Sequence, residues 1–362
     1  MQFTKSHYAL LFMLIISIAV ATAGCSDDNE DDPVGPEGTW SWSGFGDGIV
    51  GEVYAIEVMG DDIFIGGDFS AAGEERINYV RRWDGTSWVG MGDGLSWPVY
   101  DMIEYNGQLV ACGSFGRTGQ TQVYGVAVWD GTQWNGMGDG LVGAGKVMEV
   151  VDGVLYVGVE SVGSRSIKYW SGDSWIKIDS VPVGDIADMC EFNNSLVAAM
   201  RENVDGYYEG FIRTWDGSDW SDWPDPERSV FELCNDNGRL LIGGGGTLPV
   251  EVYENSGWEH LDPTAAFEHD GQRVGTVECM THYDGKLLVA GEFDYIDSVW
   301  VGAVATWDDS TWSGLGVGID GGANPRIMAV DVEGDRLYVG GEFVTAGGDT
   351  VNNVAMWGYE TE

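Results

Sequence analysis

The chain has 362 residues, of which 56 are glycine, nine proline and 17 tryptophan, and 44% are hydrophobic. Seventeen basic against 59 acidic residues give a formal net charge of −42. There is ample apolar surface to bury, which excludes a disordered or collagen-like chain. The charge excludes nucleic acid and anionic membrane surfaces as partners, because both require a positive footprint.

Residues 1–24 read as an export signal. Lys5 supplies the positive charge, Ala9 to Ala21 form an apolar run broken only by Ser17, and Ala21, Thr22, Ala23 and Gly24 are small. The run is shorter than the roughly 20 residues that span a bilayer. Cys25 comes next, then the acidic stretch Ser26-Asp27-Asp28-Asn29-Glu30-Asp31-Asp32. Thr22-Ala23-Gly24-Cys25 resembles a bacterial lipoprotein signal, departing from it at Thr22, where Leu is usual. That resemblance implies a lipidated Cys25 and an acidic flexible tether over 25–38 that holds the domain off the membrane by self-repulsion. It implies an outer-membrane lipoprotein of the bacterial cell envelope, periplasmic or surface-exposed. The acidic run also resembles the surface-export signal of some Gram-negative lipoproteins. Ala21-Thr22-Ala23 equally fits ordinary cleavage after Ala23, with secretion as the outcome.

From residue 39 onward the sequence repeats. A short apolar strand ending in small residues occurs seven times, beginning at Ile63, Leu109, Leu155, Leu196, Leu240, Leu287 and Leu337, at spacings of 46, 46, 41, 44, 47 and 50 residues. A second motif places an aromatic residue five positions before a Trp: Trp83/Trp88, Trp129/Trp134, Trp170/Trp175, Trp215/Trp220, Tyr253/Trp258 and Trp307/Trp312. Trp-Asp-Gly between such residues is a hairpin turn, as are Asn106-Gly107, Asp152-Gly153, Asn237-Gly238 and Asp284-Gly285 upstream. Each period therefore holds four short antiparallel strands. In the second copy these are Val99 to Tyr105, Leu109 to Phe115, Gly125 to Trp129 and Gln133 to Gly136. Four strands every 40–50 residues is the pattern of a propeller blade. The last copy stops at a third strand, Val354 to Trp357, and the segment from Trp40 to Gly48 matches the fourth-strand segments Trp88 to Gly94 and Trp134 to Gly140. The expectation is an all-β, seven-bladed β-propeller over 39–362, closed by an N-terminal strand that completes the last blade.

Residues 337–348, followed by Asn353-Val354-Ala355-Met356-Trp357, resemble repeats of secreted bacterial propellers. They are similar also to the propeller of fungal cell-polarity cortical markers, near the kelch and galactose-oxidase-like group. Copies three to five lose the Phe-x-x-Ala-Gly element, with Val159, Met200 and Gly245 breaking the pattern. The resemblance implies a fold and an extracytoplasmic location, and no single activity.

Candidate chemistry is sparse. Cys112, Cys190, Cys234 and Cys279 stand far apart, with no C-x-x-C pair and no His at zinc spacing, and read as buried small hydrophobes without a disulfide. Thirteen Trp fall on the repeat and are expected to wedge between blades. Trp40, Trp97, Trp223 and Trp300 do not, and Trp97 and Trp300, placed in loops, are candidate anchors for a protein or glycan. Asp47, Asp93 and Asp139 in Gly-Asp-Gly read as turn residues rather than calcium ligands. The first strand of a blade lines the central channel, so Glu57, Asp101, Asp188, Glu232 and Asp331 are candidate channel carboxylates. Either they bind or catalyse, or they are a solvated feature of an acidic chain. His260, His269 and His282 supply no catalytic or copper constellation. No G-x-S-x-G occurs, and no cofactor is implied.

Two functions are compatible with these features. One is a membrane-anchored binding scaffold that recognises a protein or glycan through loops on one ring face, touching the membrane through its lipid alone. An accessory role resembling that of the propeller lipoprotein of the outer-membrane barrel-assembly machine belongs to this class. The other is a polysaccharide- or peptide-processing hydrolase or lyase using Asp101, Asp188 or Glu232 in the channel. Variation among the copies in loops 67–78, 114–124, 262–275 and 292–302 favours the first.

Overall fold

A computed structural model describes residues 38–361, apart from 73–74, 77–78, 180–183, 205–206, 227, 273 and 323. The expected signal, Cys25 and the expected tether up to residue 37 lie outside the described residues. Gly38–Thr361 forms one unit of seven four-stranded antiparallel blades. The innermost strands, in order from blade one to blade seven, are Ile49–Met59, Val99–Tyr105, Ala144–Val151, Asp185–Phe192, Val230–Asp236, Gly275–Tyr283 and Arg326–Glu333. Blades five and six are additionally joined where Gly245 pairs with Thr276. The inner hairpins turn tightly through left-handed residues, as at Asn106 (φ 53°) and Gly107 (φ 76°), which Asn and Gly adopt at least cost.

Closure uses both ends of the chain. Gly38–Gly44 pairs with Val354–Thr361, and Trp42 lies opposite Trp357. That register reproduces the third-to-fourth-strand pairs of the other blades, such as Trp83 with Trp88 and Trp129 with Trp134. The third strand of blade seven runs on to Thr361, four residues beyond the Trp at which sequence reasoning ended it. Asn353 reinforces the seam, its Nδ2 donating to the Ile49 and Gly51 carbonyls at 2.8 Å each.

The small residues that end each second strand have a steric cause. A Cβ placed on Gly66 would lie 2.5 Å from Val99 Cγ1 of the next blade, and one on Gly340 would lie 2.5 Å from Val53 Cγ1. Gly158 and Gly243 meet Ile186 and Val277 in the same way. Ala199 and Ala290 occupy this position against Val230 and Ile327. Where the second strand carries the larger Cys112, the facing residue is Gly145, whose added Cβ would lie 2.6 Å from Cys112 Cβ. Each blade junction is thus one small residue against one branched or larger one, and this fit lets neighbouring blades pack closely.

The Gly-x-Gly turns cap the junctions further out. Phe45-Gly46-Asp47-Gly48 closes through Gly48 N donating to the Phe45 carbonyl, and the turns at Met91, Met137 and Leu315 repeat this bond. Each turn lies on the third-strand Trp of the following blade. Cβ atoms added at Gly46, Gly92, Gly138 and Gly316 would lie 2.9 to 3.5 Å from the rings of Trp83, Trp129, Trp170 and Trp357. The turn carbonyls also receive indole N–H groups: Trp88 donates to Phe45, Trp175 to Met137 and Trp42 to Leu315. Several segments between second and third strands carry short strand pairings of their own. In blade one the second strand reaches Ala72 and folds back on Glu75–Arg76. Arg117–Thr118 with Thr121–Gln122 makes a hairpin in blade two. Three-stranded sheets form around Tyr295–Ile296 in blade six and Thr345–Ala346 in blade seven.

Candidate functional site

The central channel is a cavity of about 460 Å³ lined by the innermost strands. Each of these strands carries a β-bulge near its start, recorded as a register shift across Tyr54, Tyr100, Lys146, Ala187, Phe231, Glu278 and Met328. A bulge breaks the two-residue alternation. The bulge residue and the one after it therefore both line the channel, and so does the residue three places beyond the bulge in most blades. The result is three tiers.

Carboxylates of the middle and lower tiers stitch the blades together. In the middle tier Asp101 accepts the Met148 N–H at 2.5 Å, Asp188 accepts that of Leu233 at 2.7 Å, and Glu232 accepts that of Met280 at 3.2 Å. In the lower tier Glu57 accepts from Glu104 N at 2.7 Å, Glu149 from Glu191 N at 2.9 Å, and Asp331 from Val58 N at 2.6 Å. Each bond crosses from one blade to the next. Innermost strands of adjacent blades form no continuous sheet at this depth, and these carboxylates pair N–H groups that would otherwise face the channel alone. Blade six has Cys279 and Thr281 in the two tiers. Its carboxylate, Glu278, sits at the bulge and faces Arg326 of blade seven at 3.9 Å, so the seventh junction is bridged by an ion pair. Arg326 also reaches Glu52 of blade one at 3.7 Å.

The seven are half-buried. Burial raises their pKa values, with Glu57 and Glu149 reaching about 8 and Asp101 and Asp188 about 7. Backbone N–H groups oppose the rise. Glu232 is pushed well up, first by burial and then by the charge of Asp188, and its carboxyl donates a hydrogen bond to the Asp188 carboxylate. Burial also lifts Glu278 to about 7 against the pull of Arg326. At the mouth, Tyr54 and Tyr100 stand 6.0 Å apart, with Lys146 Nζ 3.9 Å above the Tyr100 ring.

Asp101, Asp188 and Glu232 therefore share one tier, and Glu57 and Asp331 share the next. Sequence reasoning missed Glu149 and Glu278. Aligning the seven first strands on the residue before each bulge places Glu149 in the column of Glu57 and Asp331. The histidines among the described residues lie away from the channel, each with its own carboxylate partner: His260 Nδ1 is 3.3 Å from Glu251, His269 Nε2 3.2 Å from Glu292, and His282 Nε2 2.5 Å from Asp236. Trp97 lies outside the channel, 61% exposed in the loop entering blade two. Trp300 is half-buried in a short strand, its indole N–H donating to the Val317 carbonyl at 2.7 Å and its ring packed edge-on against Tyr295. Cys112, Cys190, Cys234 and Cys279 are buried free thiols, and Cys190 and Cys234 occupy equivalent lower-tier positions.

No protein-family model matches the chain, and no curated protein matches it in sequence. Its fold is similar to that of several solved propellers. The extracellular domain of BT4673 from B. thetaiotaomicron matches with a TM-score of 0.58 at 11% identity over 88% of this chain. This chain spans 39% of the length of that one. YCF48 from Cyanidioschyzon merolae matches with a TM-score of 0.54 at 13% identity, covering 88% of this chain and 99% of that one. The β-propeller domain of the Trilobed protease from Pyrococcus furiosus matches with a TM-score of 0.51 at 11% identity, over 86% and 97%. At these identities the likeness establishes the propeller fold alone.

Proposed function

We propose that this chain is a binding propeller of the bacterial cell envelope that holds a protein partner on the face where the second-to-third-strand and inter-blade loops cluster. The observation that carries this reading is where apolar surface is left open. Twelve large apolar residues are exposed among the described residues, and nine of them sit on that face: Val50, Trp97, Tyr124, Val142, Val162, Val274, Val299, Val317 and Val344. Apolar residues concentrated on one face of a strongly acidic molecule mark a protein-binding surface. Aliphatic side chains also suit a protein better than a glycan. The channel carboxylates, by contrast, are already committed to backbone N–H groups of the next blade, which weakens the hydrolase alternative.

Affinity capture from detergent-solubilised envelope tests the reading. The wild-type chain should retain a specific partner that Trp97→Ala combined with Val317→Ser releases. Equal retention by both places the contact elsewhere. In the same reading Cys25 carries the lipid, and Cys25→Ala moves the mature chain from the membrane to the soluble fraction. A mature N-terminus at Gly24 shows ordinary secretion instead.

A further inference from the structure

Four blade junctions are capped by a Gly-x-Gly turn lying on a third-strand Trp. Between blades three and four the sequence carries no Gly-x-Gly at this place. Blade three's outer strand, Trp175–Lys177, continues into Ile178 and Asp179 without a Gly-x-Gly sequence. The equivalent third-strand Trp of blade four is Trp215. It lines an open cleft of about 680 Å³. Trp220 lines the same cleft, its ring centroid 5.4 Å from that of Trp215, and Tyr169 of blade three forms the opposite wall. Both tryptophans and Tyr169 are half-buried. Lys177, Asp179 and Asp219 stand exposed at its rim. The next junction round also lacks the turn and holds a second cleft, of about 370 Å³, on the other side of blade four. Both open among copies three to five, which depart from the repeat.

We infer that the blade three–four cleft is a saccharide-binding site for a neutral oligosaccharide, separate from the loop face that holds the protein partner. Aromatic walls receive the C–H faces of pyranose rings, and carboxylates and an ammonium at the rim receive their hydroxyl groups. Two carboxylates against one lysine, on a chain of net charge −42, disfavour an anionic glycan.

The test is titration of the intact chain with a panel of linear hexasaccharides (β-1,4-glucan, β-1,4-mannan, β-1,4-xylan, chitin-type and α-1,4-glucan), followed by tryptophan fluorescence and calorimetry. At least one should saturate a single site. Tyr169→Ala and Asp219→Ala should each weaken it tenfold or more, and Trp97→Ala should leave it unchanged. Asp219 is on the surface, so its variant decides the matter if Tyr169→Ala fails to fold. The proposal is overturned if no panel member binds at millimolar concentration, if the cleft takes only an apolar dye, or if a sugar binds both variants as it binds the wild type. Partner capture through Trp97 is read separately, so either claim can fail alone.

Discussion

Replacing Trp42 with alanine probes ring closure at a single side chain. Trp42 is 6% exposed, its ring centroid lies 5.4 Å from that of Trp357, and its Nε1 donates to the Leu315 carbonyl at 2.8 Å. Removing a buried Trp costs about 3–5 kcal/mol, a large part of the roughly 5–15 kcal/mol by which domains are stable. In a chain of this size that lowers the melting temperature by roughly 4–7 °C. Trp40 lies two residues away on the same strand but is 45% exposed, so Trp40→Ala is the matched control. It should cost less than about 1 kcal/mol, as exposed positions do. Differential scanning calorimetry of the two variants makes the comparison. Equal shifts, or no shift for Trp42→Ala, would mean that the N-terminal strand does not complete blade seven.

Two further outcomes concern the interior. The channel carboxylates have folded pKa values of about 7 to 8, against about 4 unfolded. The folded chain thus holds protons that the unfolded chain has released. The stabilisation is complete below the unfolded value and is lost as pH rises through 7 to 8. The melting temperature should fall between pH 5 and pH 8.5, by less than full burial would give because the groups are only half-buried. Glu57→Gln with Glu149→Gln should flatten that slope, since an amide oxygen still accepts the Glu104 and Glu191 N–H groups; an unchanged slope refutes the assignment. At the closing junction, Gly340→Ala forces a Cβ to 2.5 Å from Val53 Cγ1 and should cost about 1–3 kcal/mol by urea unfolding. Gly116→Ala, with nothing within 4 Å, should cost little, and Val53→Ala should partly rescue Gly340→Ala.

The ring was legible in the sequence because its devices are local. The Trp/Trp spacing of five residues, the Asn-Gly turns and the complementary ends each depend on a few adjacent residues. What the repeat hid was set by register. The bulge in each first strand turns the residues one and three places beyond it toward the channel, so Asp101 and Glu57, which sequence reading grouped together, stand in different tiers. For the same reason Glu149 was missed. The tiers also change what the carboxylates mean, since the N–H partners that occupy them come from the next blade, more than 40 residues away. Trp300 shows a similar limit: it was expected in a loop, but a short strand pairing and a carbonyl of the following loop hold its indole. The cleft beside Trp215 was visible only as a missing Gly-x-Gly, and that absence had no meaning until the turn was seen lying on the Trp of the next blade.

The central claim is that this ring binds through its loop face and uses its channel carboxylates to join blades. The most direct measurement compares wild type with the triple variant Asp101→Asn, Asp188→Asn, Glu232→Gln, in both partner capture and hydrolysis of polysaccharide and peptide substrates. The account predicts undiminished capture by the triple variant and no turnover by either chain. Turnover by the wild type that disappears in the triple variant would contradict it and move the function into the channel.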